Sequence, residues 1–233
     1  MARTRKSSRS RLRLLGALLL LALLIAGWGW WGLHHWRPSH ADFPVQGIEV
    51  GSDDGAVNWK AAKAIGASFV YLDASASAFA RDPAFVKNLE DARTARLHVG
   101  AVHRYDPCQP AEKQAANFVT VVPRDRAMLP PALALDLLAN DCPVKGSDAA
   151  VTSELMTFLN QIETHTGKPT ILKISSRFEA RYHLAAKLDR NLWLVRTRFQ
   201  PGYAGRPWML WTANAMLDSA ASDAPLRWVV VGR

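Results

Sequence analysis

The sequence is poor in cysteine and contains no glycine-rich phosphate loop. Its 233 residues include two cysteines, too few for a disulfide-rich scaffold or a zinc site with four thiolate ligands. Three histidines lie close together at 34, 35 and 40, a pattern more typical of a solvated spacer than of a metal site. We therefore predict no metal and no other cofactor. Hydrophobic residues make up 49% and charged residues 21%, which excludes intrinsic disorder and collagen-like fibres.

Acidic residues are missing from the first 13 positions, which carry six of the 29 Lys and Arg side chains. The formal net charge of +9 falls to +3 without this segment. Proteins that bind nucleic acid spread a basic excess over the folded surface. Here the excess lies in a terminal tail, so we predict no nucleic-acid partner.

Charged residues are also absent from positions 14–33, a leucine-rich run that ends in a tryptophan cluster. About 20 apolar residues span a bilayer as a helix, and tryptophan favours the headgroup region. A cleaved signal peptide is the alternative, but no small-x-small cleavage site follows Ile25. We expect a basic cytoplasmic tail (1–13), a transmembrane signal anchor (14–36), a linker (37–44) and one extracytoplasmic domain (45–233).

Eight apolar runs of strand length alternate with helical stretches in this domain. Helix starts are indicated by Pro83, Pro110 and Ser147, and Ser176 and Glu179 have the spacing of a capping box. The alternation predicts an α/β fold, namely an irregular parallel β/α (TIM-like) barrel preceded by one N-terminal transmembrane helix. The runs cover residues 45–50, 68–73, 97–103, 131–137, 169–175, 191–195, 206–211 and 226–231.

Polar side chains occur at the ends of these strands, where β/α barrels place their active sites. Two carboxylates across a barrel mouth can serve as acid and base in glycosidic cleavage. A buried ion-pair network, with Asp73 and Lys173 neutralising each other, is the alternative that the sequence leaves open. Aromatic residues near the same ends either stack on sugar rings or belong to the core. The polar residues are Glu49, Asp73, His103 with Tyr105, Asp136, Lys173 and Arg196.

The two cysteines follow the third and the fourth predicted strand. Cys108 and Cys142 would lie in loops at the same end of a barrel, and an extracytoplasmic domain permits a disulfide. A catalytic thiol is the alternative, but no activating group is apparent in the sequence. We predict the disulfide.

An ordered series of motifs extends from residue 45 to the end of the chain. It includes GIEVGSDDGAVNWKAAKAIGASFVYLDAS, DPAFVKNLEDARTARLHVGAVHRYDPC, LPPALALD, NLWLV and GRPWMLW. The series resembles glycoside hydrolase family 25, the Chalaropsis-type lysozymes (N-acetylmuramidases). This resemblance implies the family's irregular β/α barrel and cleavage of peptidoglycan between N-acetylmuramic acid and N-acetylglucosamine. Together with the predicted signal anchor, it indicates a bacterial single-pass cytoplasmic-membrane protein whose N-terminus is cytoplasmic and whose C-terminal domain lies in the periplasm.

The resemblance assigns roles one residue at a time. Glu49 falls on the family's first-strand Asp and Asp136 on the Asp of its D-x-E motif, so these are the implied catalytic carboxylates. Leu138 stands where the motif has its proton-donating Glu, and no Glu lies between positions 112 and 154. The implied substrate-binding residues are Asp73, His103, Tyr105, Lys173, Trp193 and Trp211.

Several positions depart from the family pattern. Asp73 stands where the family has Lys, Arg104 where aromatic residues are usual, Lys173 replaces Tyr, and Thr212 replaces Gln. Leucine at 138 cannot donate a proton, and general acid catalysis is typically worth about 10²–10⁴-fold. A membrane-anchored peptidoglycan hydrolase is therefore the first hypothesis. A catalytically silent relative that binds glycan or scaffolds an envelope complex is the second, and a purely structural membrane protein is the third. The sequence does not indicate the oligomeric state.

Overall fold

The computed structural model describes residues 5–144 and 147–232. Two compact units make up the chain, Met1–Trp36 and Arg37–Arg233. Arg3 of the predicted basic tail lies outside the described residues.

The first unit contains one helix, α1 (Arg5–His34). Its segment Leu12–His34 has a mean hydropathy of 2.1, and none of that window is buried against protein. A segment of 23 residues is long enough to cross a bilayer, although signal sequences have the same length and composition. The apolar N-terminal helix predicted from the sequence is thus present.

The second unit is a mixed α/β domain built around a closed barrel of eight strands. A ninth strand of two residues, β3, pairs with the edge of β2. Short 3-10 turns follow the first and the fifth strand, at Ser52–Asp54 and Ala139–Asp141. The strands are β1 (Gln46–Val50), β2 (Phe69–Ala76), β3 (Ala80–Arg81), β4 (His98–Arg104), β5 (Ala132–Leu135), β6 (Ile171–Ile174), β7 (Leu192–Val195), β8 (Leu210–Ser219) and β9 (Ser222–Val231). The helices are α2 (Trp59–Ala64), α3 (Phe85–Thr94), α4 (Ala111–Val121), α5 (Asp148–Thr166), α6 (Ser176–Tyr182) and α7 (Leu184–Lys187).

The barrel is not a regular parallel one. The pairs from β1–β2 round to β7–β8 are parallel, but β9 runs antiparallel to both β8 and β1. The prediction of a parallel TIM-like barrel is therefore wrong for the last strand. The reason is the connection: only residues 220–221 separate β8 from β9, whereas a parallel crossover needs a dozen residues or more.

The interior of the barrel follows the two-residue period of its strands. Its core includes Tyr71, Val102, Ile171 and Val229. Gly100 leaves room for the Tyr71 ring, since a Cβ at position 100 would lie 2.3 Å from the ring. Because side chains two residues apart share a face, the next inward positions put polar side chains at the barrel mouth. They are Glu49, Asp73, Arg104, Lys173 and Arg227.

Local signals fix the ends of some helices. Ser147 caps α5 by accepting a hydrogen bond from the Ala150 amide, and the helix ends at Gly167 in the left-handed conformation. The predicted capping box is wrong by one residue, because Ser175 is the residue that caps α6. The Glu179 carboxylate instead accepts from the Ala185 amide.

The segment predicted to be a linker belongs to the second unit. The Gln46 side-chain amide donates to the carbonyls of Pro38 and Phe43, at 3.1 and 2.8 Å. The Arg37 guanidinium lies 4.9 Å from the centre of the Trp228 ring. Residues 37–44 therefore pack on the barrel and do not form a free tether.

Candidate active site

Two cavities open at the mouth of the barrel. The larger, of about 410 Å³, is lined by the ends of β4 to β7, including Tyr105, Asp136, Lys173 and Ser175. The smaller, of about 200 Å³, is lined by residues that follow β1 and by the end of β2 and the residues after it, including Asp73 within β2. Arg104 lines both cavities. A ligand that occupied both cavities would therefore lie next to the Arg104 guanidinium group.

Glu49 is held between two cations. Its side chain is 1% exposed, and both carboxylate oxygens accept hydrogen bonds from Lys173 Nζ. Arg227 Nη1 lies 3.7 Å from Glu49 Oε1. Burial acts to raise the pKa of Glu49, but the charges of Lys173 and Arg227 outweigh it, so that the pKa is lowered. Glu49 is thus an ionised carboxylate whose charge is already neutralised.

Asp73 pairs with two arginines. Its Oδ2 accepts from Arg104 Nη2 at 2.7 Å and from Arg227 Nη2 at 3.3 Å. Its Oδ1 is buried and has no hydrogen-bond partner among the described residues. Burial and the neighbouring Glu49 charge raise the pKa of Asp73 against the opposing effect of the arginines. The structure therefore contains the ion-pair network left open above, but with Lys173 on Glu49 and the arginines on Asp73.

Sequence reasoning missed Arg227, which connects three carboxylates. Besides Glu49 and Asp73, it donates from Nη2 to Asp54 Oδ2 at 2.6 Å. These carboxylates raise the pKa of Arg227 despite its burial. The sequence did contain a signal for Arg227, because Arg227 lies two residues from Val229 and therefore shares its inward face of the last strand. Because that strand was expected to be parallel, its first residues were expected at the opposite end of the barrel.

Asp136 and Leu138 follow β5. Asp136 is exposed, lines the larger cavity and forms no ion pair within the described ranges. Leu138 is partly buried in extended backbone just before the turn Ala139–Asp141. Asp141 pairs with Arg177 at 2.5 Å on the surface and lines neither cavity. Asp136 is therefore the carboxylate in the wall of the larger cavity, and no cation in the part of the chain that the structure describes neutralises it. Asp53 and Asp82, which line the smaller cavity, likewise form no ion pair there.

Two of the predicted aromatic residues are buried, one in the wall of the larger cavity and one in the barrel core. Tyr105 lines the larger cavity at 2% exposure, and burial raises the pKa of its phenol. Trp193 is fully buried, and its Nε1 donates to Thr212 Oγ1 at 2.8 Å. Lys173 Nζ lies 4.7 Å from the centre of the Trp193 ring. Trp193 thus supports Lys173 from inside the barrel and presents no face for a sugar.

His103 lies outside the site. It is fully buried, its Nδ1 bonds to Ser75 Oγ at 2.8 Å, and its Nε2 bonds to Gln114 Oε1 at 3.2 Å. Burial lowers its pKa to about 4. The expected substrate contact is wrong because His103 is one residue out of register with the inward-facing Val102 and Arg104. It therefore faces α4 and α5, stacked on Phe158.

Trp211 also points away from the barrel interior. It is 2% exposed, its Nε1 donates to the Arg196 carbonyl, and its ring packs against Phe43 and Trp208. Its neighbours Leu210 and Thr212 face inward. Trp211 is thus part of an outer aromatic cluster and not of the mouth.

Cys108 and Cys142 form a disulfide with their Cα atoms 5.4 Å apart. The bond joins the loop after β4 to the turn after β5, next to the segment that carries Asp136 and Leu138. Asp106 lies close enough to the two sulfurs to complete a set of three metal ligands, but disulfide sulfurs do not act as thiolate ligands. The disulfide therefore cross-links two segments next to the larger cavity.

The family model for glycosyl hydrolases family 25 matches residues 48–215. The chain belongs to this family. Its structure is similar to that of a family 25 glycosyl hydrolase from Bacillus anthracis, with a TM-score of 0.75 and 23% identity over 85% of this chain and 92% of that chain. A bacterial lysozyme from Streptomyces coelicolor is similar with a TM-score of 0.70 and 20% identity, over 81% and 92% of the two chains.

A sequence relative in Escherichia coli K12, named uncharacterized protein YegX, is 26% identical over 182 residues. The match covers 73% of this chain and 63% of the relative. The family resemblance predicted from the sequence is thus confirmed for this glycosyl hydrolase domain, whose barrel has the fold of the solved family 25 enzymes.

Proposed function

We propose that the protein is a membrane-anchored, lysozyme-like glycoside hydrolase that cleaves peptidoglycan between N-acetylmuramic acid and N-acetylglucosamine. The observation that carries this proposal is the cavity of about 410 Å³ at the mouth of a family 25 barrel, with Asp136, which pairs with no described cation, in its wall. Such a mouth is where β/α barrels carry out their chemistry. Structural neighbours described as lysozymes, muramidases and endolysins support the choice of substrate.

Asp136 is the proposed catalytic carboxylate that meets the sugar. Glycosidic cleavage passes through a transition state that resembles an oxocarbenium ion and carries positive charge. A carboxylate stabilises that charge more strongly where no protein cation neutralises it. Lys173 and Arg227 neutralise Glu49, so its proposed role is to fix the charge pattern of the mouth. Leu138 supplies no proton, and we expect the reaction to be slower than that of a complete acid–base pair by about 10²–10⁴-fold.

Two features of the mouth favour a second function. With Leu138 at the acid position and Glu49 held by Lys173, the mouth suits a catalytically inactive protein that binds glycan or scaffolds a cell-envelope complex. Asp73, Tyr105 and Lys173 would then serve binding alone. The two functions make opposite predictions for glycan cleavage and the same prediction for glycan binding.

The proposed location follows from the first unit. Residues 14–36 would span the cytoplasmic membrane, with the basic residues 1–13 in the cytoplasm. The apolar helix α1 supports this arrangement. The barrel would then lie in the periplasm, where its disulfide is chemically stable, and the lipid bilayer would be the partner of residues 14–36.

The test is an assay for new reducing ends and released muropeptides on purified peptidoglycan, with the full-length protein in detergent. A hydrolase releases both products, and Asp136→Asn abolishes the release. Leu138→Glu restores the D-x-E pattern and is expected to increase the rate at least tenfold. The matched variant Leu138→Gln, of similar size without an acid, is expected to leave the rate unchanged. If folded protein releases nothing while Leu138→Glu does, the hydrolase proposal is wrong for the natural chain and the binding function stands.

A further inference from the structure

Arg104 is the most exposed cation in the network at the barrel mouth. Its side chain is 49% exposed, compared with 14% for Lys173 and 19% for Arg227. It ends strand β4 on the inward face and lines both cavities. Its guanidinium group therefore stands at the junction between the two parts of the mouth.

The network does not need Arg104 to neutralise its buried carboxylates. Lys173 and Arg227 both lie on Glu49, and Arg227 also contacts Asp54 and Asp73. Asp73 thus keeps a cation in Arg227 if Arg104 turns toward a ligand. This redundancy distinguishes Arg104 from Lys173 and Arg227, which are committed to buried carboxylates.

Arg104 also has hydrogen-bonding capacity to spare. It contacts Asp73 through Nη2 alone, while its Nε and Nη1 meet no acceptor in the described part of the chain. A guanidinium group carries five N–H donors in a planar fork that matches a carboxylate. Donors of a side chain that lines both cavities are therefore left for a ligand.

From this geometry we propose that Arg104 recognises a carboxylate carried by the glycan. The proposal rests on the proposed action on peptidoglycan and names the group that the site reads. N-Acetylmuramic acid carries such a group on its lactyl ether, and stem peptides carry others, whereas chitin oligosaccharides carry none. Arg104 thus makes the mouth selective for an anionic glycan over a neutral one.

The test compares the affinity for three ligands, measured by titration calorimetry with the full-length protein in detergent. The ligands are glycan strands stripped of peptides, which present lactyl carboxylates, peptide-bearing muropeptides and neutral chitohexaose. All proteins carry Asp136→Asn to prevent cleavage. Adding Arg104→Gln is expected to weaken binding of a carboxylate-bearing glycan at least tenfold, and Arg104→Lys less. Chitohexaose binding is expected to stay within about twofold. The two anionic ligands show which carboxylate is read.

Arg93→Gln is the matched control, because Arg93 is a partly exposed arginine that pairs with Asp125 and lines neither cavity. Near-UV circular dichroism establishes that each variant is folded. Equal loss of affinity for all three ligands, or no loss, overturns the role of Arg104 while leaving the proposed function intact. Failure of the Asp136→Asn protein with Arg104 intact to bind any of the glycans overturns both proposals.

Discussion

Replacing Lys173 with Met tests the central ion pair of the mouth. Lys173 is the cation that both Glu49 oxygens contact, and Glu49 is 1% exposed. In the variant the carboxylate keeps only Arg227, at 3.7 Å. Removing one partner of a buried ion pair costs about 3–5 kcal/mol. We expect a loss of about 3 kcal/mol, at the lower end of this range, because Arg227 remains. A loss of this size lowers the melting temperature by roughly 6–12 °C in a domain of this size.

The pH dependence of this loss identifies its cause. The folded-state pKa of Glu49 is lowered from 4.5, so the stability contributed by its ionised form is present above about pH 4.5 and is lost as the pH falls through the lower folded-state pKa. Without Lys173, burial raises the pKa of Glu49, and the carboxyl group takes up a proton in mildly acidic solution. The difference in melting temperature between natural and variant protein is therefore expected to be largest near pH 7 and to narrow toward pH 4.

Thermal unfolding followed by near-UV circular dichroism, in one detergent at both pH values, measures the effect. The double variant Lys173→Met with Glu49→Gln is expected to recover most of the lost stability, because no buried charge is left without its cation. The reasoning would be refuted by an unchanged melting temperature at pH 7. It would equally be refuted by a loss that neither acid nor Glu49→Gln reduces.

Two further predictions concern groups near the mouth. Replacing Cys108 and Cys142 with Ser is expected to lower the free energy of unfolding by roughly 4 kcal/mol in the chain-entropy model. Denaturant titration measures this loss. The prediction would be contradicted if a reductant lowered the stability of the natural protein no more than that of the variant. His103 is expected to stay neutral down to about pH 4, since burial lowers its pKa from 6.5 to about 4. Its neutral form therefore contributes stability that is present above pH 6.5 and is lost as the pH falls toward 4. Proton NMR of the His103 ring measures its titration, and a midpoint near 6.5 would show that the ring is not buried.

The predicted apolar runs overlap all eight barrel strands, but the run 206–211 reaches only the first two residues of β8, and β9 begins four residues before the run 226–231. Helix α5 was also predictable, since Ser147 and Gly167 are the residues directly before and directly after it. The family resemblance rested on the same local patterns. Signals of this kind depend on neighbours in sequence, and they are therefore read before any tertiary contact is known.

The direction of β9 and the orientation of individual side chains depend on long-range pairing. A tight connection after Ser219 reverses the last strand, and this reversal brings Arg227 to the mouth beside Glu49. His103 and Trp211 were misplaced for a related reason. A strand end marks which residues are near the mouth, but a shift of one residue decides whether a side chain enters the barrel or leaves it.

The departures from the family pattern become intelligible when they are taken together. Asp73 stands where the family has a Lys, while Lys173 and Arg104 stand where it has aromatic residues. In the structure all three belong to one network with Glu49 and Arg227. An Asp on β2 alone would add a second buried carboxylate beside Glu49, whereas here Lys173 pairs with Glu49 and Arg104 pairs with Asp73. The charges at these positions offset one another, so the role of any one residue follows from the charge of the others.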